Sequence, residues 1–344
     1  MHEAYTLQED APLAALNTLR VAATARRLAE VRSAAALQAL LDSPAAQGPV
    51  LVLGEGSNVL FAADYPGLVL RPLFADVRVL EDDGATALVR AEAGTSWDRF
   101  VDWTLGRGLA GLENLALIPG QVGAAPIQNI GAYGAEVAES IEHVEAWDRT
   151  QRRSRRLVRA ECGFGYRDSL FKRAPERWIV TAVVFRLSRS AALRLDYAGV
   201  REELAAAGVT APDAQQVAAA VRRLRRRKLP DPAVIGNAGS FFKNPVVAAP
   251  VAAQLRAEFA GLPVHPAGAG LAKLSAAWLI EHCGWRGYRD GDAGISAQHA
   301  LVLVNHGSAR GSELLALARR VARSVAERFA VDLEPEPRII GSRW

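Results

Sequence analysis

The 344-residue chain holds only two cysteines, one methionine and six histidines, and these shortages narrow what it can be. Cys162 and Cys283 stand apart from each other and from any histidine cluster. Neither a disulfide framework nor a metal site is expected, and both read as ordinary buried thiols. Long apolar runs are also missing: charge, Gly or Pro interrupts each one well before the ~20 residues of a bilayer span, so membrane insertion is not expected. The amino terminus, Met1-His-Glu-Ala-Tyr-Thr-Leu-Gln-Glu-Asp10, lacks the basic-then-apolar order of a secretory signal, which points to a cytoplasmic location. A large excess of one charge is absent too, the net charge being +4. Positive charge does cluster in Arg222-Arg-Leu-Arg-Arg-Arg-Lys228 and Arg152-Arg-Ser-Arg-Arg156, without the interleaved aromatics or module of a nucleic-acid binder. The first run closes a helix-like stretch, where cations meet the negative helix end, and it reads as a solvated terminus with one cation free to hold a phosphate.

What is present suits a globular chain of two or three packed units. Val50-Leu-Val-Leu53 reads as a buried strand entering the glycine turn Gly54-Glu-Gly-Ser-Asn58. Strands are expected over 67–71, 77–80, 87–91, 141–147, 155–158 and 179–187, with a helix over 96–105 capped by Ser96, and helices over 200–207 and 215–228. A second part begins near Leu229, with a helix over 274–282, a strand over 300–305, a helix over 312–329 and an extended end over 332–340. Leu314, Ala318, Val321, Val325 and Phe329 recur at helical spacing and read as core.

Gly236-Asn-Ala-Gly-Ser-Phe-Phe-Lys-Asn-Pro245 places Ser240 between a glycine and two aromatics, in a stretch that suits neither a regular helix nor a central strand. A hydroxyl shielded by Phe241 and Phe242 can hand over a proton. The nucleophile-elbow pattern would need glycines two places either side, where Ala238 and Phe242 stand, so a hydrolase serine is not indicated. From this segment alone, a tight Gly-Ser turn against an aromatic core fits equally well. Ile118-Pro-Gly-Gln-Val-Gly-Ala-Ala-Pro-Ile-Gln-Asn-Ile-Gly-Ala-Tyr-Gly134 is apolar but broken by Gly and Pro, with amides at Gln128 and Asn129. Exposed main-chain N–H groups there and in the 54–58 turn can cradle a pyrophosphate, and Gln, Asn and Tyr supply directional contacts to a flat neutral ring. A glycine-rich core crossover would explain either loop alone; two such loops favour a flavin dinucleotide. The G-x-G-x-x-G fingerprint is absent, since Val59 follows Gly54 and Gly56 at its third position. A fold other than Rossmann is expected, with no separate nicotinamide site.

Taken in order, Gly54-Glu-Gly-Ser-Asn-Val-Leu-Phe61, Gly111-Leu-Glu-Asn-Leu115, residues 118–134, Phe164-Gly-Tyr-Arg-Asp-Ser169, Lys228-Leu-Pro-Asp-Pro232, residues 236–245 and Leu333-Glu-Pro-Glu336 resemble the UDP-N-acetylenolpyruvoylglucosamine reductase family over nearly the whole chain. The resemblance implies a bacterial cytoplasmic flavoenzyme that carries FAD and uses NADPH to reduce UDP-N-acetylglucosamine enolpyruvate in peptidoglycan precursor synthesis. It implies an α+β fold: a vanillyl-alcohol-oxidase-like, PCMH-type FAD-binding domain of two subdomains, 1–70 and 71–228, then a substrate-binding domain over 229–330. Residues 331–344 would form a strand returning to the active site.

By the same resemblance, Ser240 is the proton donor, with Arg167 and Glu336 as its catalytic companions. FAD contacts are implied at Gly54, Gly56, Ser57, Asn58, Pro119, Gly120, Gly123, Ala124, Gln128, Asn129, Gly131, Ala132, Tyr133 and Arg338. Substrate contacts are implied at Tyr197, which matches a tyrosine-bearing loop of one subgroup, and at Lys228, Asn244 and Gln298. Simpler readings stand beside these: Arg167 bridging its aromatic turn to Asp168, Glu336 in a surface strand between prolines, Tyr197 as a loop anchor, Lys228 as the last cation of its helix. Two positions depart from the family pattern, Ala277 where relatives have glycine and Ser296 where they carry histidine. An oxidase of the same superfamily and a non-catalytic UDP-sugar binder are the alternative functions.

Overall fold

The computed structural model describes residues 5–344, so the first four residues of the amino-terminal stretch lie outside it. The chain divides into two compact units that interleave in sequence. One takes the chain up to Ala11, Ala25–Glu55 and Pro66–Arg227; the other takes Pro12–Thr24, Gly56–Tyr65 and Lys228–Trp344. The expected α+β class is what the elements form. Among the described residues no helix is long and apolar enough to cross a membrane.

The first unit is built on a four-stranded and a five-stranded sheet. Four strands lie in the order Tyr5–Pro12, Thr24–Val31, Tyr65–Pro72, Val50–Val52, the last pair parallel with Val50 opposite Leu68. Five antiparallel strands follow the order Arg153–Val158, Ile141–Asp148, Trp178–Ser188, Thr86–Glu92, Val77–Asp82. The central strand Trp178–Ser188 is buried along most of its length, which its β-branched and aromatic run favours. Against this sheet lies the helix Trp97–Leu105, whose Trp97, Phe100, Val101 and Leu105 enter one core with Phe185. Ser96 stands at the N-cap position of that helix, as expected, but its side chain makes no cap hydrogen bond.

In the second unit, four strands run Gly236–Ser240, Val302–Asn305, Ala293–Ile295, Arg289–Asp290. Helix Gly311–Phe329 buries Leu314, Ala318, Val321, Val325 and Phe329, the expected stripe. The end of the chain is a short strand, Arg338–Ile340, pairing in parallel with Val59–Phe61.

In the arginine run of helix Ala214–Lys228, Arg223, Arg226, Arg227 and Lys228 are exposed, as a solvated terminus would be, while Arg223 and Arg227 also pair with Glu203. Arg222 is half-buried and reaches Asp98 and Asp102 at 2.7 Å each. Cys162 is buried, its thiol pushed up to about 12 by burial, whereas Cys283 is only half-buried.

Candidate active site

Eight non-glycine residues among those described have positive φ, and four of them, Leu117, Asn129, Tyr133 and Arg167, fall in the glycine-rich loops and the turn of the first unit. Such backbone costs energy and persists where its surroundings over-determine it, and it concentrates at functional sites. At Asn129 the determinant is visible. Its amide nitrogen donates to Glu136 at 2.7 Å and to Gly165 O at 3.1 Å, while its oxygen accepts the Ala138 N–H at 3.0 Å. The Asn129 side chain is thus engaged inside the protein, with both amide hydrogens and one oxygen lone pair taken up.

Arg167 sits at φ 53° in a turn closed by reciprocal main-chain bonds between Gly165 and Asp168. Its Nη2 donates to Gly131 O at 2.6 Å, and the guanidinium lies 5.3 Å from the Tyr166 ring. A Cβ at Gly131 would come within 2.9 Å of Arg167 Nη1 and 3.1 Å of Ala135 O, so a side chain there would crowd the guanidinium. Asp168 pairs with Arg173. The turn therefore delivers a cation to the residue 131–134 loop. Beside it, Tyr133 packs edge-on against Tyr197 at 5.1 Å, and Asn114 donates to Tyr133 O at 2.8 Å. Burial raises the Tyr133 phenol, with Arg225 opposing. Arg225 itself was missed by the sequence reading. Burial pulls its guanidinium down, Tyr133 and Asp98 counter, and Arg167 adds to the fall. No periodic signal could have singled it out from its neighbours Arg222 to Arg227, because burial at that position depends on how distant loops pack.

The two glycine loops meet at a carboxylate. Glu55 accepts the Gly120 N–H at 2.9 Å, and a Cβ on Gly54 would lie 2.9 Å from Gln121 Oε1. Gly123 carries its N–H to Ala93 O at 2.9 Å, in the short helical turn Val122–Ala124 that also holds Ala124. Pro119, Gln128 and Ala132 lie along the same loops, and Gly131–Ala132 pairs with Ala135–Glu136 as a small hairpin. At Gly134, with φ 80°, an added Cβ would meet nothing within 4 Å, so main chain there borders open space. Neutral loops with main chain at an open edge, a buried tyrosine and two nearby guanidiniums fit a flavin dinucleotide, whose ring is flat and whose diphosphate is anionic.

In the second unit, Ser240 ends an edge strand. Gly236 and Asn237 pair with Asn305 and Val304, the register then slips, and Ser240 stands opposite Val302. The slip is a bulge in which Gly239 takes φ 68° and donates its N–H to Asn237 Oδ1 at 3.0 Å. Phe241 and Phe242 are both buried and meet edge to face at 5.1 Å, while Ser240 is half-buried. The next residues pair with the chain end: Lys243 N–H donates to Glu334 O at 3.0 Å, and Glu336 N–H donates to Phe241 O at 2.8 Å. These bonds bring Glu336 beside the Ser240 turn. Asn58 joins them, its Nδ2 donating to Glu336 O at 3.4 Å and its O accepting the Arg338 N–H at 3.1 Å. Ser57 lies in the same segment, and Gly56, at φ 64°, is obligatory: a Cβ there would come within 2.1 Å of Leu16 O.

The other expected substrate contacts also fall in this unit. Lys228 is exposed at the end of its helix. Asn244 accepts the Ala276 N–H at 2.9 Å, capping the helix Ala276–His282 in which Ala277 sits. Gln298 donates its N–H to the buried Ser296 hydroxyl at 3.1 Å. His299, which the sequence reading passed over, has Nδ1 accepting the Leu301 N–H at 3.2 Å, which makes Nε2 the protonated nitrogen of the neutral ring. Burial lowers it, Lys228 and Arg286 lower it further, and Glu281 opposes.

The model of the C-terminal domain of UDP-N-acetylenolpyruvoylglucosamine reductase matches residues 231–340, and that of an FAD binding domain matches residues 25–152. The UDP-N-acetylenolpyruvoylglucosamine reductase of Xanthomonas euvesicatoria pv. vesicatoria (strain 85-10) is 56% identical over 346 residues, covering 100% of this chain and 99% of its own. That of Xanthomonas oryzae pv. oryzae (strain PXO99A) is 57% identical over 342 residues, covering 99% and 98%. Among solved structures, the UDP-N-acetylenolpyruvylglucosamine reductase of Thermus caldophilus is 28% identical with a TM-score of 0.67, over 98% of both chains. The likeness therefore spans both units, and the chain belongs to the UDP-N-acetylenolpyruvoylglucosamine reductase family.

Proposed function

We propose that the chain reduces UDP-N-acetylglucosamine enolpyruvate to UDP-N-acetylmuramate for peptidoglycan synthesis in the cytoplasm, with FAD as cofactor and NADPH as reductant. FAD, when bound, would supply the hydride chemistry that links NADPH to the vinyl CH2 carbon of the substrate. The remaining work falls to side chains. Hydride addition pushes negative charge through the adjacent carbon onto the carboxylate, and Arg167 stabilises that charge. Ser240 gives its hydroxyl proton to the carbon bearing the ether oxygen, completing saturation of the double bond. A neutral donor suits this role because it does not pair prematurely with the substrate anion. Glu336 is the second acid–base group beside the Ser240 turn.

The single observation that supports this reading is the pairing of residues 241–243 with 334–336, in which the Glu336 N–H donates to the carbonyl of Phe241, the residue after Ser240. FAD is held by the 54–58 turn, the 119–133 loops and Arg338, on the part of the chain that precedes residue 229, with the 331–344 end contributing. Substrate is held by Lys228, Asn244 and Gln298, with Tyr197 over the nucleotide-sugar; Lys228 meets the diphosphate as a mobile point charge. Without a Rossmann fingerprint, NADPH and substrate use one site in turn.

Ser240→Ala tests the assignment by separating the half-reactions. Flavin reduction by NADPH stays near wild type, while reoxidation by the enolpyruvyl substrate slows at least about a hundredfold. Equal loss in both halves would refute the donor role. Rapid reoxidation by air with none by the substrate would mark an oxidase, and tight UDP-sugar binding without turnover would mark a binding protein.

A further inference from the structure

Leu117 stands immediately before Ile118-Pro119-Gly120, at the mouth of the longer glycine loop, and takes φ 59°. Leucine gains nothing locally from that conformation, having no polar side chain to stabilise a left-handed turn. Two charged side chains from separate helices impose it. The Asp98 carboxylate, in the first turn of helix Trp97–Leu105, accepts the Leu117 N–H at 2.6 Å. Arg225, in helix Ala214–Lys228, donates Nε to Leu117 O at 3.1 Å. One turn earlier on that helix, Arg222 bridges to the same Asp98 oxygen at 2.7 Å and to Asp102 at 2.7 Å, locking the two helices at this point. Three residues on, Gly120 has its N–H held by Glu55 and its carbonyl by the Trp97 N–H, both at 2.9 Å. Charged groups and main chain thus fix both ends of residues 117–120.

We propose that Asp98 and Arg225 form a clamp on Leu117 that pre-shapes residues 117–120 to receive the flavin dinucleotide, making both of them positioning residues for the cofactor. The inference rests on the reading of residues 119–133 as the FAD loops. Its physical basis is preorganisation: a loop already ordered before the ligand arrives loses less freedom on binding, and the gain appears as slower release. Charged groups are suited to the task, since charge-assisted bonds to main chain are the strong ones.

The test follows FAD release from the holoenzyme by the rise in flavin fluorescence after dilution. Asp98→Ala and Arg225→Met each release FAD at least about tenfold faster than wild type. Asp102→Ala, which weakens the Arg222 pair but leaves Leu117 clamped, stays within about twofold. Leu117→Gly, which reaches the left-handed region unaided, combines with Asp98→Ala to less than the product of their separate effects. A general loosening of the fold would instead speed release equally with and without the glycine, and that result overturns the clamp, as does wild-type release from Asp98→Ala. Should Asp98→Ala not fold, Arg225→Met with and without Leu117→Gly decides on the same criteria. FAD held equally well by wild type and both single variants sinks the clamp alone. A wild-type protein that cannot be reconstituted with FAD at all sinks the flavin reading beneath it.

Discussion

In the unit that carries Arg167, loops are held by side chains reaching back to main chain: Asn129 to Gly165 and Ala138, Asn114 to Tyr133, Arg167 to Gly131, Asp98 to Leu117. Around Ser240 in the other unit, several key bonds run from main chain to main chain. Asn237 N–H donates to Thr18 O at 2.9 Å, Thr18 N–H donates to Gly56 O at 3.1 Å, and Phe241 N–H donates to Leu301 O at 2.8 Å. The contrast has a physical logic. A strand ladder leaves side chains unburdened, so a hydroxyl such as Ser240 is available for proton transfer; a loop must recruit side chains as props, and its strained residues report that recruitment. Filling the backbone at Gly56 should therefore cost more than at Gly134, and deleting the Asn129 side chain more than deleting that of Asn244.

The largest effect expected is at Gly56. Gly56→Ala would drive a Cβ into Leu16 O at 2.1 Å on a positive φ, a backbone clash that cannot relax by rotating a side chain. A loss above about 4 kcal/mol is expected, read as a collapse of the denaturant midpoint. Gly134→Ala in the first unit has φ 80° but open space around it, so only the left-handed penalty of about 1–2 kcal/mol applies. Similar losses at both positions would break the comparison.

The converse substitution is Asn129→Ala. It removes three hydrogen bonds in a residue only 2% exposed and leaves their partners without it. About 3 kcal/mol of destabilisation is expected, against about 1 kcal/mol for Asn244→Ala in the second unit, where a single helix-capping bond is lost. Paired urea titrations of the two variants measure the difference, and a larger loss at Asn244 would reverse the argument.

Arg167→Lys sharpens the first unit's side of the contrast. The guanidinium both props the 131–134 loop and presents charge, and an ammonium lacks the fork to do both. Reoxidation by the enolpyruvyl substrate should slow about thirtyfold, with the NADPH half-reaction unchanged. Rapid-mixing absorbance of the flavin in each half-reaction separates the two; equal slowing would assign Arg167 to the fold alone.

How much of this could be read before folding differs between the units. The strands 141–147 and 179–187 and the helix 312–329 were legible because their apolar periods are long, and the observed elements exceed those bounds by one residue at one end or both. The helix Ala34–Asp42 was not, since its alanines carry little amphipathic contrast, although Ser33 caps it through Ala36 N–H at 3.0 Å. Nor was the strand Thr24–Val31, where Arg26 and Arg27 interrupt the apolar pattern. Glycine spacing and Ser240 announced both candidate loops. What the sequence could not announce were partners fixed by distant packing, namely Arg225 on Leu117, Glu55 on Gly120 and His299 near Lys228.

His299 gives the smallest effect, and its sign can be worked out. Burial, Lys228 and Arg286 hold it below its ordinary value of 6.5 in the folded chain. Unfolded, it takes up a proton as the pH falls through about 6.5, while the folded form still resists. The unfolded state then binds more protons, so stability is full above that value and is lost as the pH falls from it towards the folded pKa. His143 and His306 are lowered as well and contribute slopes of the same sign. Replacing His299 by Gln should flatten, without abolishing, the fall of denaturant midpoint below pH 6.5, and leave the midpoint trend above it parallel to wild type. A steeper fall in the variant would mean that His299 is stabilised as the cation, placing Glu281 rather than Lys228 and Arg286 as its governing neighbour.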